Sequence, residues 1–292
     1  MDYKEYAKEL VEKRDDIIAA YGYGSAFSHQ QGYTKDIKKS MDLIFVVDNL
    51  KKWNNHNFQL NKNDYSKYTK AIFKLMPKFL LKSGSSIIYN VVTDRYDVDF
   101  KYGLIEKNDL LSDLYSWNHM YVNGRMQKPL YPIKKDSDIE EAIKYNRKCA
   151  LMIALIILNK KIMNVQELLE MICKLSYDGD VRTLFAENPN KIMNIVKGSY
   201  DDLKRIYCNN DYVKIYNDIA YVNLDKVYDN LDKLPKRFKN FNIKENYNYL
   251  SKVIRHMNLK ESMIHPVKQF MVSGYGTCRK YMSEKMKKKT LK

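Results

Sequence analysis

A Gly-Ser pair between two apolar segments is the feature that most constrains the fold of this chain. The apolar segment Ile17 to Tyr23 ends at Gly24-Ser25, and Asp42 begins a second apolar segment that runs to Val47. The pattern predicts two strands, with a turn after the first and a carboxylate at the head of the second. Glycine lets backbone N–H groups approach a triphosphate, serine adds a hydroxyl donor, and a carboxylate suits Mg²⁺. We therefore expect a nucleotide site here, with a plain turn and a strand-capping Asp as the alternative.

The size and charge of the chain limit its class. It has 292 residues, 45% of them hydrophobic and 13% aromatic, which predicts a folded protein with two domains. The formal net charge of +16 indicates an anionic partner such as a nucleotide, a nucleic acid or an anionic membrane surface. The four cysteines have no paired spacing, which is typical of reduced thiols in a cytoplasmic protein.

Two segments bear on membrane targeting. The acid-rich residues 1–10 contain no long apolar stretch, so they predict a surface helix and neither a signal nor a transit peptide. The longest apolar run, Cys149 to Leu158, has ten residues, about half the length of a membrane-spanning helix, and predicts a buried helix. A lipid substrate would therefore be reached from the water side of the membrane.

Hydrophobic periodicity divides the chain into an α/β part and a helical part. The predicted strands are Ile17–Tyr23, Met41–Val47, Ser86–Val92, Asp97–Ile105 and Ile219–Val222, and the predicted helices are Tyr3–Lys13, Tyr65–Leu81, Asp138–Leu158, Val165–Leu175, Lys191–Ile195 and Tyr200–Cys208. This order predicts an α/β domain at residues 1–132 and a mainly helical domain at 133–256. Residues 257–292 form a basic segment with nine Lys or Arg against two Glu.

Further motifs accompany the Gly-Ser turn in a defined order. They are Gln30; Trp53 with Asn57, Asn61 and Tyr65-Ser66; Tyr89-Asn90 with Lys101-Tyr102-Gly103; Trp117 with Tyr121; Gly124-Arg125-Met126-Gln127-Lys128-Pro129; and Leu175-Ser176-Tyr177 with Gly179-Asp180 and Arg182. From about Tyr21 to Val196 the chain resembles the translocator assembly and maintenance family of mitochondrial phosphatidate cytidylyltransferases, also called CDP-diacylglycerol synthases. Its most specific part is the Gly-Arg-x-Gln-Lys-Pro motif. The chain departs from the family at Ala26, where a second Gly is usual, and at Asn54, where a His is usual.

The resemblance implies a fold of the α+β or α/β class. It implies a polymerase-β-type nucleotidyltransferase domain with a mixed sheet, then a mainly helical, winged-helix-like domain and a basic C-terminal helix. A winged helix alone would suggest DNA, but in the family this unit helps to form the nucleotide cleft. Trp53 and Trp117 are expected in the core rather than as platforms for base stacking.

The resemblance also implies roles for acidic and basic residues of the first domain. Asp42 would be catalytic and would hold Mg²⁺. The superfamily usually has a second acid two positions later, where this chain has Ile44. Asp97 and Asp99 are candidates for a further acid; we take Asp99 as the second metal ligand, with a solvent-facing strand residue as the alternative. Lys101 would reach a phosphate.

Other residues of the family motifs are expected around the nucleotide. Arg125 and Lys128 would bind phosphate, Arg through a bidentate fork and Lys as a point charge. The nucleotide-binding set implied by the resemblance is Gly24, Ser25, Tyr177, Asp180 and Arg182. The alternatives are a solvated basic loop for Arg125 and Lys128, and a salt bridge at a helix end for Asp180 and Arg182.

The activity implied by the resemblance is Mg²⁺-dependent transfer of CMP from CTP to phosphatidic acid, giving CDP-diacylglycerol and pyrophosphate for phosphatidylglycerol and cardiolipin synthesis. The basic tail implies peripheral attachment to the cytoplasmic, inner face of an anionic membrane, with a solvated tail as the alternative. No nucleic-acid partner is expected. Two alternatives stay open: a nucleotidyltransferase with another acceptor, and a non-catalytic winged-helix protein that binds nucleic acid.

Overall fold

The computed structural model describes residues 2–27, 40–65, 82–93, 96–181, 189–238 and 247–290, with side chains of the last segment described for 248–269, 271 and 272. The predicted helix Tyr65–Leu81 therefore lies outside the described residues from 66 onward. Gln30, Arg182 and the lysines of the last ten residues also fall outside this description.

A five-stranded mixed sheet forms the first half of the protein. Its strands are β1 (Ile17–Tyr23), β2 (Met41–Val47), β3 (Ile88–Val92), β4 (Phe100–Glu106) and β5 (Tyr131–Lys134), in the order β3-β4-β2-β1-β5. Strands β2 and β4 are parallel, and the other pairs are antiparallel. The first four strands confirm the prediction to within three residues at each end. The fifth was missed because Pro132 resembles a strand breaker; β5 is an edge strand, where proline is tolerated.

Helices cover both faces of this sheet and make up most of the second half. They are α1 (Tyr3–Glu12), α2 (Leu50–Leu60), α3 (Lys107–Ser116), α4 (Asn123–Met126), α5 (Ser137–Leu158), α6 (Val165–Lys174), α7 (Lys191–Gly198), α8 (Tyr200–Tyr207), α9 (Leu224–Asp229) and α10 (Tyr247–Thr290). Five of them confirm helices predicted from periodicity, and α10 contains the basic C-terminal helix that the resemblance implied, whereas α2, α3, α4 and α9 were not predicted. The mixed α+β class is confirmed.

Side-chain alternation along β2 assigns the two faces of the sheet. Leu43 and Phe45 pack in one cluster with residues of α1 and α2, while Ile44 and Val46 pack in another with residues of α3, α4 and α5. Successive side chains of a strand point to opposite faces, so Asp42 belongs to the face of Ile44. The carboxylate is therefore on the side of the sheet that α3, α4 and α5 cover.

The second half of the protein is built around α5. Its apolar residues, with those of α6, α7 and α8, form a large core that also includes a three-stranded antiparallel sheet. The strands of that sheet are β6 (Ile162–Asn164), β7 (Val213–Tyr216) and β8 (Ile219–Val222), in the order β6-β8-β7. The predicted strand Ile219–Val222 is confirmed, and the apolar run from Cys149 lies buried inside α5. The domain boundaries and the winged-helix character stay predictions.

The long helix α10 spans both parts of the chain. Leu250, Ile254 and Met257 pack into the core around α5. Farther along, Glu261 and His265 are buried. Among the described residues, no helix combines the length and the apolar character needed to cross a bilayer.

Candidate active site

Four strand ends meet at one edge of the large sheet. The end of β1 lies beside the start of β2, where Tyr23 is opposite Asp42. Asp42 is in turn opposite Lys101 of β4, and Lys101 is opposite Val91 near the end of β3. The registers therefore bring the Gly-Ser turn, Asp42 and Lys101 to the same edge.

The turn after β1 is open toward Asp42. Gly24 has φ +77°, a left-handed conformation that favours glycine, and starts a short 3-10 turn, Gly24–Ala26. A β-carbon on Gly24 would lie 3.4 Å from Oδ2 of Asp42. Ser25 is the next residue of this turn and is partly buried. The absence of a side chain at Gly24 leaves the Asp42 carboxylate bordered by backbone, which is the arrangement expected of a phosphate and metal site.

Lys101 and two tyrosines line the same edge. The Lys101 Nζ lies 4.0 Å from the ring centroid of Tyr89, and the hydroxyl groups of Tyr89 and Tyr23 are 3.4 Å apart. Burial raises the pKa of Tyr23 well above its usual value, and the nearby Tyr89 and Asp42 raise it further. Both phenols are therefore neutral at physiological pH and act as hydrogen-bonding groups.

Arg125 approaches this edge from α4. Its guanidinium carbon lies 3.7 Å from the ring centroid of Tyr121, 5.6 Å from that of Tyr23 and 5.9 Å from that of Tyr89. Burial alone would lower the pKa of Arg125, but the surrounding tyrosines outweigh it and the pKa is raised. The buried Nε has no hydrogen-bond partner, while Nη1 donates to the carbonyl of Tyr121. Arg125 thus brings a permanent positive charge with unused donor capacity to the site.

Lys128 faces a different neighbour. Its Nζ donates to the carbonyl of Gly124 at 2.7 Å and to Oγ of Ser176 at 2.5 Å, and lies 4.9 Å from the ring centroid of Tyr177. Burial lowers its pKa. A β-carbon on Gly124 would lie 2.1 Å from Cβ of Ser176. The Gly-Arg motif and the Leu-Ser-Tyr motif therefore pack directly against each other.

Two of the remaining predicted nucleotide ligands, Tyr177 and Asp180, lie in the turn after α6. The ring centroid of Tyr177 lies 4.9 Å from Nζ of Lys128 and 5.1 Å from Nζ of Lys191. Asp180 is buried, and its backbone N–H donates to the carbonyl of Tyr177 at 3.1 Å. Arg182 lies outside the described residues. The structure thus joins Tyr177 to Lys128, and Asp180 to the turn of Tyr177.

A metal at this edge would have few protein ligands. Asp99 directly precedes β4, next to the Met41–Phe100 pair, and its carbonyl accepts from the backbone N–H of Met41 at 3.0 Å. Asp97 is exposed. Nowhere in the described part of the chain do three His, Cys, Asp or Glu side chains come together as a metal cluster. The donor set still suits Mg²⁺, which binds through one or two carboxylates and takes water and substrate phosphates as its other ligands.

The motif around Trp53 is structural. Trp53 is 2% exposed and its indole N–H donates to the carbonyl of Asp15 at 2.8 Å. Asn57 donates to Asp64, which forms a buried ion pair of 2.7 Å with Arg14. Trp117 is fully buried. The expectation that both tryptophans belong to the core is confirmed.

Sequence reasoning missed a group of buried polar residues on α10. Glu261 Oε1 lies 2.7 Å from Nδ1 of His119, and the ring of His265 stacks on Tyr121 with centroids 3.6 Å apart. Lys268 Nζ donates to the carbonyl of Ser83 at 3.0 Å. The available signal was the spacing of Glu261, His265 and Lys268, which places them on one side of a helix.

A mixed sheet with an open turn, a carboxylate and buried cations at one edge defines a class of α+β protein equipped to bind a phosphorylated ligand. A family model described as mitochondrial phosphatidate cytidylyltransferase matches residues 7–248. The chain belongs to this family. The predicted resemblance is confirmed, and the match extends some fifty residues past Val196, where the resemblance had been expected to fade.

Individual relatives agree with the family match. The mitochondrial phosphatidate cytidylyltransferase of Dictyostelium discoideum is 32% identical over 251 residues, which are 77% of this chain and 57% of the relative. The Schizosaccharomyces pombe protein of that name is 35% identical over 193 residues, 65% of this chain and 49% of the relative. The human one is 29% identical over 228 residues, 76% and 50% respectively. The chain spans about half the length of these curated relatives.

Proposed function

We propose that this protein is a phosphatidate cytidylyltransferase, which converts CTP and phosphatidic acid to CDP-diacylglycerol and pyrophosphate. The observation that carries the proposal is the approach of Arg125, from the most specific family motif, to the strand edge that holds Gly24 and Asp42. Relatives across the matched region carry the name of this activity. Family membership and site geometry thus support the same reaction.

The reaction needs positive charge more than it needs a base. A phosphate oxygen of phosphatidic acid attacks the α-phosphorus of CTP, and the bond from that phosphorus to the bridging oxygen of pyrophosphate breaks. Negative charge grows on the non-bridging and leaving oxygens, so preorganised cations and N–H donors stabilise the transition state. Arg125 and Lys101 supply the cations, and the turn at Ser25 supplies donors. The attacking phosphate is already ionised, so no general base is required.

Asp42 would hold a Mg²⁺ ion, and Asp99 is the candidate for a second protein ligand. When bound, Mg²⁺ neutralises phosphate charge and polarises the reacting phosphoryl group. Gly24 supports this role because it places no side chain next to the Asp42 carboxylate, where a β-carbon would lie 3.4 Å from Oδ2. Tyr177 and Lys128 would contact the nucleotide from the junction of the two motifs.

We further propose that α10 attaches the protein to the inner, cytoplasmic face of an anionic membrane. Four apolar residues recur every fourth position and are exposed: Leu259, Met263, Val267 and Met271. Spacing of four residues places them along one side of the helix. Residues 257–292 hold nine Lys or Arg against two Glu, and each Lys or Arg near an anionic surface adds about 1 kcal/mol of attraction. Such a surface would let the enzyme reach phosphatidic acid without a spanning helix.

The test is pyrophosphate release by the purified protein with CTP, Mg²⁺ and vesicles containing phosphatidic acid. We expect release that requires the lipid and is lost in Asp42→Asn. Release without lipid would point to another acceptor or to hydrolysis. No release with any lipid, together with tight and salt-sensitive binding of nucleic acid, would overturn the proposal in favour of a nucleic-acid-binding protein.

A further inference from the structure

Two buried residues of α10 lie directly behind Arg125. The guanidinium carbon of Arg125 lies 3.7 Å from the ring centroid of Tyr121. The ring centroid of His265 lies 3.6 Å from that of Tyr121, and the planes of the two rings meet at 17°. Two groups this close to one centroid cannot share a face of the ring. Tyr121 therefore separates His265 from Arg125 as the middle layer of a three-layer stack.

Glu261 anchors the outer end of this stack. Its Oε2 accepts from the backbone N–H of Ser85 at 3.0 Å and from the Ser85 hydroxyl at 3.1 Å, and it lies 2.9 Å from Nε2 of His265. Oε1 lies 2.7 Å from Nδ1 of His119. Burial would raise the pKa of Glu261, but the hydrogen bonds from His119 and His265 outweigh it and hold the pKa below its usual value. The carboxylate is therefore ionised and fully used in hydrogen bonds.

His265 is held as a neutral ring. Burial lowers its pKa to about 4, against the opposing effect of Glu261. Its Nε2 contacts both Glu261 and the Ser85 hydroxyl, the latter at 2.8 Å. A Ser-His-acid triad uses both ring nitrogens, one for each partner, so this cluster is not a nucleophilic site. What it fixes is the orientation of the His265 ring against Tyr121.

We propose that His265 and Glu261 are positioning residues, which hold Tyr121 flat against Arg125 and so aim the guanidinium at the strand edge of Asp42. The inference rests on the proposed function, because it takes Arg125 to be a ligand of the CTP phosphates. An arginine held only by its own side-chain torsions loses rotamer entropy when it binds a phosphate, and a stacked arginine has lost it beforehand. The stack therefore contributes to the CTP step and leaves the lipid step unchanged.

The test is a double-mutant cycle between His265→Gln and Arg125→Lys. Glutamine keeps a side-chain N–H for Glu261 but removes the ring that stacks on Tyr121. We expect His265→Gln to lower kcat/KM for CTP about tenfold without changing KM for phosphatidic acid, and to lower it less than twofold when Arg125 is already Lys. His256→Gln, an exposed histidine of the same helix, is the matched control and should have no effect.

Equal fold losses in both Arg125 backgrounds would overturn the inference, since a general structural role would act independently of Arg125. If His265→Gln fails to unfold cooperatively, Tyr121→Leu removes the middle layer instead and must couple to Arg125→Lys in the same way. If the wild-type protein converts CTP and the effects are additive in both cycles, the positioning role is wrong and the proposed function stands. A wild-type protein without cytidylyltransferase activity rejects the proposed function and this inference together.

Discussion

The Asp42 carboxylate lies 3.4 Å from the point that a β-carbon of Gly24 would occupy. Gly24 directly follows β1 and Asp42 lies near the start of the antiparallel strand β2, and the Tyr23–Asp42 register brings them together. In the proposed function, a substrate phosphate would meet backbone N–H groups of this turn and a cation held by Asp42.

Asp42→Asn should abolish turnover while leaving the fold intact. The amide keeps the size of the carboxylate but loses the charge that a divalent cation requires. We expect kcat to fall at least 100-fold, an order-of-magnitude estimate for loss of a metal ligand. The matched control is Asp48→Asn, an exposed residue just past the other end of β2, which should retain full activity. Comparable losses in both variants would argue against a special role for Asp42.

Arg125→Lys should lower kcat/KM for CTP by about 10- to 100-fold, because lysine keeps the charge but cannot form a bidentate fork or stack flat on Tyr121. The measurement is initial-rate kinetics at saturating lipid. Arg205→Lys, on the exposed surface of α8, serves as the control. Unchanged kinetics for Arg125→Lys would mean that the phosphates bind elsewhere.

Gly124→Ala should destabilise the junction of the two motifs. The added methyl group would lie 2.1 Å from Cβ of Ser176, so one of the segments must shift. Overpacking of this kind costs about 1–3 kcal/mol, which a urea unfolding curve can resolve. Ser176→Gly removes the clashing atoms and should recover part of the loss in the double variant. If the two changes simply add, the contact is not the cause.

Asp113→Asn should stabilise the protein at neutral pH and much less in acid. Burial raises the pKa of Asp113 from its usual 3.8 to about 7, so the folded state binds a proton that the unfolded state has already released. Stability from this group therefore falls as the pH rises from about 4 to 7, by up to about 4 kcal/mol. His265, with its pKa lowered to about 4, gives the opposite slope over part of this range. Urea unfolding at pH 5 and pH 7.5 should reveal a gain for Asp113→Asn that grows with pH; a constant gain would refute the cause.

Replacing Met263 and Val267 by Gln should weaken binding to anionic vesicles. Both side chains are more than half exposed and lie on one side of α10. Each would contribute roughly 1–2 kcal/mol on insertion, so we expect at least a tenfold lower partition coefficient in a vesicle co-sedimentation assay. Tyr216→Gln, which removes a 69% exposed aromatic residue from the small sheet, is the control. If Tyr216→Gln weakens vesicle binding more than the α10 substitutions do, the membrane contact lies on the small sheet and not on α10.

Four strands of the large sheet and the turn beside Asp42 could be predicted from the sequence because they depend on local patterns. The uninterrupted apolar run from Leu43 to Val47 marks β2, and the Gly-Ser pair marks the turn after β1. The edge strand β5 escaped prediction because Pro132 is compatible with a strand only where one side has no partner, and strand order is not a local property.

The stack behind Arg125 could not be predicted for a similar reason. Arg125 and His265 are 140 positions apart in the chain, and they share Tyr121 only because α10 packs next to β3 and places His265 on that ring. Tyr121 was part of a family motif, but its role as the layer between them depends on tertiary contacts. The hydrogen bonds from Lys128 to Gly124 and Ser176 likewise join two motifs that are about fifty residues apart, and its role as a phosphate ligand stays a prediction.

The most direct test of the account follows the α-phosphate of CTP. CTP labelled at that phosphate is incubated with the protein, Mg²⁺ and phosphatidic acid vesicles, and the organic and aqueous phases are then separated. The account predicts that label enters the lipid phase as CDP-diacylglycerol, one molecule for each pyrophosphate released, and that Asp42→Asn transfers none. Label that stays in the aqueous phase as CMP, or transfer that persists in Asp42→Asn, would contradict it.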